Sequence, residues 1–146
     1  MSRYRSDTPS PEFHMRMIAS EEDVDALGHI SNIAYVRWIQ DVAVAHSTAV
    51  GFDTQQYLQR GSVFVVRKHE VNYLRSAHAG DEIELITFVA SFSGAQSERH
   101  TRIIRASDGQ ELVKAITVWA YVSTQNGRPR RIPEELQKAF YLSVGK

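Results

Sequence analysis

The segment from Asp23 to Trp38, DVDALGHISNIAYVRW, combines residues that could act together on a carbonyl group. Asp25 supplies a carboxylate, and Ser31 and Asn32 are residue types that commonly begin a helix. A helix start offers unpaired backbone N–H groups and a partial positive charge, so it can stabilise a developing oxyanion. A nearby aspartate can then serve as general base or nucleophile on the same carbonyl. The alternative interpretation is an ordinary polar loop that ends in a helix cap.

The composition excludes several other kinds of site. Lys plus Arg and Asp plus Glu both number 17, so no net charge draws the 146-residue chain to nucleic acid or to an anionic membrane. There is no cysteine, and the histidines lack metal-binding spacing, so we expect neither a metal site nor another cofactor. No apolar run is long enough to span a bilayer, and no signal peptide is recognisable. We therefore expect a cytoplasmic protein.

The chain has the length of one compact domain. Residues 1–11 are polar with two prolines, which predicts a flexible leader before a single domain over residues 12–146. Phe13 to Ile18 alternates apolar and polar residues and is predicted as a strand. From Ile33 to about Val50 apolar residues surround the helix except for a narrow polar ridge, which predicts a mostly buried helix with Gly51 as its C-cap. The ridge consists of Arg37, Gln40, Asp41, Ser47 and Thr48.

After a linker, Phe52 to Gly61, the character of the sequence changes to strands. The predicted strands are Val63–Leu74, Ile83–Phe92, Glu98–Ala106 and Leu112–Val122. Asp108-Gly109 is a hairpin signal, and Pro133 to Tyr141 is predicted as a terminal helix. This order predicts an α+β fold in which one antiparallel sheet of about five strands wraps around one long central helix.

Residues 23–35, Asp-Val-Asp-Ala-Leu-Gly-His-Ile-Ser-Asn-Ile-Ala-Tyr, resemble a known signature. Hotdog-fold acyl-CoA thioesterases of the 4-hydroxybenzoyl-CoA thioesterase type usually carry Asp-x-x-Gly-His-Val-x-Asn-x-x-Tyr, and the order of strands after it is also similar. The resemblance implies a hotdog fold and hydrolysis of an acyl-CoA or acyl carrier protein thioester to a free acid, without a cofactor. It also implies a homodimer or homotetramer, with the sheets of two subunits joined edge to edge and active sites at the interface.

The same resemblance assigns roles to individual residues. It places the catalytic carboxylate at Asp25 and the oxyanion-binding N–H at or near Asn32. His29 matches the family's histidine, and it orients Asp25, lines the thioester site or is structural. Tyr35 packs in the core or along the acyl pocket. Predicted substrate-binding residues, including arginines for the phosphates of coenzyme A, are Gly28, Tyr35, Arg67 and Arg75; Lys68, Arg102 and the basic cluster 127–131 are alternatives for the phosphates.

Two other carboxylates compete with Asp25. Asp23 stands two residues earlier, and we expect it to be solvated or to cap the loop. Asp41 lies on the central helix, from which a second branch of these enzymes takes its carboxylate. Because Arg37 stands four residues before Asp41, an exposed ion pair between them is expected.

Two alternative functions remain open. A non-catalytic module that binds acyl thioesters would keep the pocket without turnover, although the intact Asp25 disfavours it. A hotdog enoyl-thioester hydratase or dehydratase would usually carry His-Phe-Pro or Asp-x-Asn-Pro-x-His, and neither motif is present.

Overall fold

A computed structural model describes residues 5–142, in which five strands form one antiparallel sheet around a long helix. The strands are β1 (Phe13–Ile18), β2 (Ser62–Tyr73), β3 (Glu82–Ser93), β4 (Gln96–Arg105) and β5 (Glu111–Ser123). The helices are α1 (Asn32–Ala49), α2 (Thr54–Arg60) and α3 (Glu134–Leu142). The predicted α+β architecture, a sheet wrapped around one central helix, is confirmed.

The strand order across the sheet is β1-β3-β4-β5-β2. β2 therefore pairs with β5, the last strand, and not with β3, which follows it in the sequence. Residues 74–81, the crossover loop, connect β2 on one edge of the sheet with β3 on the other side. This loop passes the start of α1, where the backbone N–H of Ile30 donates to the Ala77 carbonyl oxygen (3.0 Å). The topology thus places the crossover loop, which is distant in the sequence, beside the predicted site.

Packing on α1 follows the apolar character of the helix. Its buried residues are Ala34, Tyr35, Trp38, Ile39, Val42, Ala43, His46 and Ser47. Ser47, predicted on the polar ridge, is buried because its hydroxyl donates to the Phe52 carbonyl (2.6 Å) and bonds the Tyr57 hydroxyl. Ile33, predicted on the apolar stripe, is 77% exposed. The first half of α1 packs on one apolar cluster, and a second cluster gathers residues from α2, α3 and the adjoining strands.

The predicted linker, Phe52 to Gly61, contains a helix that the sequence analysis missed. α2 begins after Asp53, whose side chain accepts a hydrogen bond from the Gln56 N–H (2.9 Å), and it ends at Gly61 with φ +74°. Tyr57 is its only buried residue, so the segment shows no apolar period. α1 ends one residue before its expected position, with Val50 as the C-cap, while Gly51 follows with φ +105°.

The segment before β1 contacts the sheet. The Ser10 N–H donates to the Val89 carbonyl (2.7 Å), and its hydroxyl accepts from the Val89 N–H (2.9 Å). The carbonyls of Ser6 and Thr8 accept from the Phe92 N–H and from the Tyr141 hydroxyl. This part of the predicted leader is therefore held in place, while residues 1–4 lie outside the described residues. The domain boundary at residue 12 stays a prediction.

Candidate active site

The Asp25 loop, residues 24–30, closes on itself before α1. Val24 and Ile30 form an isolated β-bridge, and the Asp25 N–H donates to the His29 carbonyl (2.7 Å). The Gly28 N–H donates to the Asp25 carbonyl (3.1 Å), and Gly28 adopts φ +85°, which residues with a Cβ rarely adopt. Gly28 therefore shapes the tight turn that presents Asp25.

The carboxylate of Asp25 is fixed through one oxygen. Its Oδ1 accepts hydrogen bonds from the backbone N–H groups of Leu27 (2.9 Å) and His29 (3.1 Å). The side chain is exposed, and within residues 5–142 no hydrogen bond to Oδ2 is formed. The backbone thus sets the orientation of the carboxylate, and the second oxygen is available to a proton or a substrate.

The start of α1 provides an unpaired donor next to this loop. Ser31 is the N-cap, and its hydroxyl accepts from the Ile33 N–H (3.1 Å). The Ser31 N–H donates to the Asp23 carbonyl (2.8 Å), which fixes the helix start to the base of the Asp25 loop. The Asn32 N–H has no acceptor in the described part of the chain. Because α1 is 18 residues long, its dipole adds a partial positive charge at this point.

The two competing carboxylates lie in different surroundings. Asp23 forms an ion pair with Arg37 (2.6 Å), and its side chain is only 17% exposed. The expected ion pair between Arg37 and Asp41 is therefore not formed, because the guanidinium turns toward the loop and not along the helix. Asp41 is exposed. Asp23 and Asp25 both lie near the start of α1, and of these two only Asp25 has no cationic partner among residues 5–142.

His29 contributes its backbone and not its ring to the orientation of Asp25. The ring lies edge-on to the ring of His78, with centroids 5.3 Å apart. His78 belongs to the crossover loop, where its N–H donates to Asp81 Oδ2 (2.9 Å). No local pattern in the sequence predicts that the crossover places His78 beside His29.

Tyr35 occupies a core position. Its hydroxyl accepts a hydrogen bond from the Ala77 N–H (2.7 Å), and its ring packs edge-on against Trp38 at 5.3 Å. Burial raises the pKa of the Tyr35 hydroxyl, although the hydrogen bond from Ala77 opposes this shift. The Tyr35 side chain therefore supports the crossover loop from within the core, and its predicted contact with substrate stays a prediction.

The two predicted phosphate-binding arginines are exposed on separate segments. Arg67 lies on β2 at an irregularity in the pairing with β5. Arg75 lies in the crossover loop, and its Nη1 donates to the Glu111 carbonyl (3.4 Å). Both guanidinium groups are accessible to an anion, and their role stays a prediction.

Large apolar side chains are exposed around the Asp25 loop. Leu27, within the loop, is 81% exposed, and Ile33, in the first turn of α1, is 77% exposed. Such residues beside a polar corner are typical of a surface that a ligand or another protein covers.

Comparison with known families identifies the class of protein. Residues 20–140 match the family model described as the thioesterase-like superfamily. The match includes the Asp25 loop, α1 and the strands from β2 to β5, so the chain belongs to this superfamily. The resemblance to hotdog-fold thioesterases inferred from the sequence is thereby confirmed.

Individual relatives agree with this assignment. The chain is 27% identical over 119 residues to the acyl-CoA thioester hydrolase YbgC of Escherichia coli O6:H1, covering 82% of this chain and 88% of that protein. It is 25% identical over 124 residues to the chloroplastic acyl-[acyl-carrier-protein] hydrolase FATB3 of Cuphea viscosissima, covering 81% of this chain. This chain spans 30% of the length of that hydrolase.

Solved structures share the fold. A probable thioesterase from Bartonella henselae aligns with a TM-score of 0.78 and 22% identity, covering 84% of this chain and 100% of that one. A putative oleoyl thioesterase from Lactobacillus plantarum aligns with a TM-score of 0.85 and 18% identity, covering 90% of this chain and 51% of that one.

No helix within residues 5–142 is long and apolar enough to cross a membrane. The cytoplasmic location stays a prediction.

Proposed function

We propose that this chain hydrolyses acyl thioesters at the Asp25 loop, with Asp25 as general base or nucleophile and the Asn32 N–H as oxyanion donor. One observation carries the proposal. A carboxylate held by two backbone N–H groups through a single oxygen lies in a bridged loop that ends two residues before the unpaired N–H of Asn32 at the start of α1. A base and an oxyanion donor are the two groups that acyl transfer requires.

The chemistry can follow two routes. In the first, Asp25 takes a proton from water, the hydroxide attacks the thioester carbonyl carbon, and the Asn32 N–H stabilises the oxyanion. The intermediate collapses as the C–S bond breaks, and the thiolate takes up the proton. In the second, the Asp25 carboxylate attacks the carbonyl, the thiolate leaves, and water hydrolyses the mixed anhydride. Both routes yield one acid and one thiol, and water is the only co-reactant.

The names of two relatives support a substrate class. YbgC is named an acyl-CoA thioester hydrolase, and the Cuphea protein is named an acyl-[acyl-carrier-protein] hydrolase. Both names describe a hydrolase that acts on an acyl group attached to a carrier, which supports an acyl-CoA or acyl carrier protein thioester as the proposed substrate. The exposed Arg67 and Arg75 are proposed contacts for the phosphates of coenzyme A.

A thiol-release assay with short, long and aromatic acyl-CoAs and acyl carrier proteins tests the proposal. Asp25→Asn retains an Oδ1 that can accept from Leu27 and His29, so the loop keeps its hydrogen bonds. We expect kcat/KM to fall by about 10²–10⁴-fold in this variant. Asp41→Asn, the same substitution at the exposed carboxylate on α1, should retain turnover. After a single turnover in heavy-oxygen water, label in Asp25 would show the nucleophilic route, because water that attacks the aspartyl carbonyl of the anhydride leaves its oxygen on Asp25, whereas the general-base route labels only the product acid.

Three results would contradict the proposal. Full activity in Asp25→Asn together with loss in Asp41→Asn would move the catalytic carboxylate to α1. Binding of acyl thioesters without thiol release in any variant would favour a non-catalytic binding module. Conversion of a 3-hydroxyacyl thioester to an enoyl thioester and water, without free thiol, would favour a dehydratase.

We also propose that the protein works as a homodimer or homotetramer. β2 is 12 residues long and pairs with β5 on one side, and within residues 5–142 no strand pairs with its other side. The exposed Val65 on β2, together with Leu27 and Ile33, supplies apolar surface for a partner. Light scattering should give a mass of at least twice the 16.6 kDa of the chain. A monomer would contradict the assembly.

A further inference from the structure

A cavity lies at the far end of α1, away from the Asp25 loop. It has a volume of about 250 Å³ and lies between α1, α2, α3 and the sheet. Ala43 and Ser47 of α1 line it. They follow Asn32 by 11 and 15 residues, so the cavity begins about 17–22 Å along the helix from the proposed oxyanion donor at 1.5 Å per residue. It is therefore separate from the carboxylate corner.

Most of the cavity wall is apolar, but a charged side chain opens onto it. Arg99 of β4 lines the cavity although the residue is only 5% exposed. Its Nη1 contacts His46 Nδ1 (2.9 Å) and donates to the Thr87 hydroxyl (3.1 Å). Within residues 5–142, no carboxylate lies within 4 Å of this guanidinium, and Nε and Nη2 make no hydrogen bond.

The contact with His46 does not neutralise Arg99. Burial, together with the charge of Arg99, lowers the pKa of His46 to about 3, so this imidazole is uncharged near neutral pH and accepts a hydrogen bond through Nδ1. Burial lowers the pKa of Arg99 only to about 10, so the guanidinium stays protonated. A buried cation without a counter-ion is strongly unfavourable, and such groups are usually paired.

A second unpaired donor lies on the neighbouring strand. Trp119 of β5 also lines the cavity, and it stands opposite Ser97 in the β4–β5 register, two residues from Arg99. Its Nε1 is buried without an acceptor among the described residues. Indole N–H groups buried in proteins usually find a partner. Within residues 5–142, two residues with unpaired donors, and no carboxylate, thus line one largely apolar cavity.

We infer that this cavity binds the carboxylate of a small apolar organic acid, with Arg99 and Trp119 as its recognition groups. The guanidinium fork suits the two oxygens of a carboxylate, and the wall formed by Val89, Phe92 and Phe140 suits a hydrocarbon body. A cavity of about 150 Å³ can hold benzene. The volume here therefore has room for a monocyclic aromatic acid or a short fatty acid.

Such a carboxylate can come from two sources. It can be a free acid, or it can be the far end of an acyl group whose other end is a thioester. The second source rests on the proposed hydrolase function, while binding of a free acid does not.

Isothermal titration calorimetry with phenylacetate and hexanoate tests the site. We expect both acids to bind and the neutral phenylacetamide, which has nearly the same shape, to bind at least about tenfold more weakly. Arg99→Gln should abolish binding of the acids. Arg16→Gln is the matched control, because Arg16 lies on β1 with an exposed side chain paired to Glu82. It should bind the acids like the unmodified protein.

A second variant covers the case in which Arg99→Gln does not fold. Trp119→Phe keeps an aromatic ring and removes only the N–H donor, and it should weaken binding of phenylacetate about threefold to tenfold. Equal binding of phenylacetate and phenylacetamide, unchanged affinity in a folded Arg99→Gln protein, or no binding of either acid would overturn the inference.

Kinetic measurements distinguish a free acid from the far end of an acyl group as the ligand. If an acyl tail is the ligand, hexadecanedioyl-CoA, whose extended chain is long enough to reach the cavity from the Asn32 N–H, should show a lower KM than hexadecanoyl-CoA, and Arg99→Gln should remove that difference. If a free acid is the ligand, the two KM values should agree while phenylacetate still binds. Asp25→Asn should bind phenylacetate normally in both cases, so failure of the hydrolase proposal leaves the calorimetric test intact.

Discussion

The hydroxyl of Tyr35 accepts a hydrogen bond from the backbone N–H of Ala77 at 2.7 Å, and both groups are buried. This contact joins the first turn of α1 to the crossover loop. The same loop accepts the Ile30 N–H through the Ala77 carbonyl (3.0 Å). Ala77 is thus bonded on both sides to the segment that carries Asp25, and the geometry of the candidate site depends on a residue far along the chain.

Removing the Tyr35 hydroxyl should therefore destabilise the protein. Tyr35→Phe leaves the buried Ala77 N–H without an acceptor, which costs about 1–3 kcal/mol of unfolding free energy. Urea denaturation measures this loss. Tyr73→Phe is the matched control, because Tyr73 is 43% exposed and its hydroxyl makes no hydrogen bond within residues 5–142. Equal unfolding midpoints for the two variants would show that the Tyr35 contact contributes nothing.

The buried His46 should make stability fall in mild acid. Its folded-state pKa is about 3, whereas an unfolded histidine has a pKa of about 6.5. The contribution of His46 is therefore complete above pH 6.5 and is lost progressively as the pH falls toward 3, since only the unfolded chain takes up the proton. At pH 5 the loss should be about 2 kcal/mol.

Unfolding free energies at pH 7 and pH 5 check this linkage. His46→Gln retains an acceptor for Arg99 but cannot titrate, so the difference between the two pH values should shrink by about 2 kcal/mol in that variant. The other histidines affect the unfolding free energy of the unmodified protein and of the variant equally, so their effects cancel in the comparison. An unchanged difference would mean that His46 is not responsible.

The elements that the sequence analysis predicted correctly are those with a strong local pattern. α1 and the long strands agree with the apolar runs to within one or two residues. The Asp25 loop could be recognised because its parts lie within ten consecutive residues. α2 was missed because a helix with one buried side chain, Tyr57, has no apolar face to detect.

The cavity at the far end of α1 could not be predicted, because residues 96–102 of β4 are polar on both faces. Ser97, Arg99 and Thr101 point inward and are buried, while Glu98, His100 and Arg102 alternate with them. With polar residues at both sets of positions, alternation does not tell which arginine is buried. The contacts of His78 and Ala77 with the site were equally hidden, because they depend on the crossover between β2 and β3.

The N-cap of α1 should affect both stability and turnover. Ser31→Ala removes the acceptor of the Ile33 N–H (3.1 Å), which should cost about 1 kcal/mol. Fraying of the first turn also displaces the Asn32 N–H. We therefore expect kcat to fall even at temperatures at which the Ser31→Ala protein is fully folded. Ser31→Thr, which keeps a capping hydroxyl, should restore both quantities. A variant with lower stability and normal kcat would argue against a role for the helix start in catalysis.

The ion pair between Asp23 and Arg37 predicts that Arg37 of α1 is energetically coupled to Asp23 and not to Asp41. The N···O distance is 2.6 Å, with Arg37 half-exposed and Asp23 mostly covered. A double-mutant cycle with Asp23→Asn and Arg37→Gln should therefore give a coupling energy of about 0.5–1 kcal/mol. The same cycle with Asp41→Asn should give nearly zero, although Asp41 stands at the spacing at which helical ion pairs usually form. Coupling to Asp41 and not to Asp23 would mean that Arg37 turns along α1 in solution, which would leave Asp23 unpaired beside Asp25 and raise it again as a candidate base.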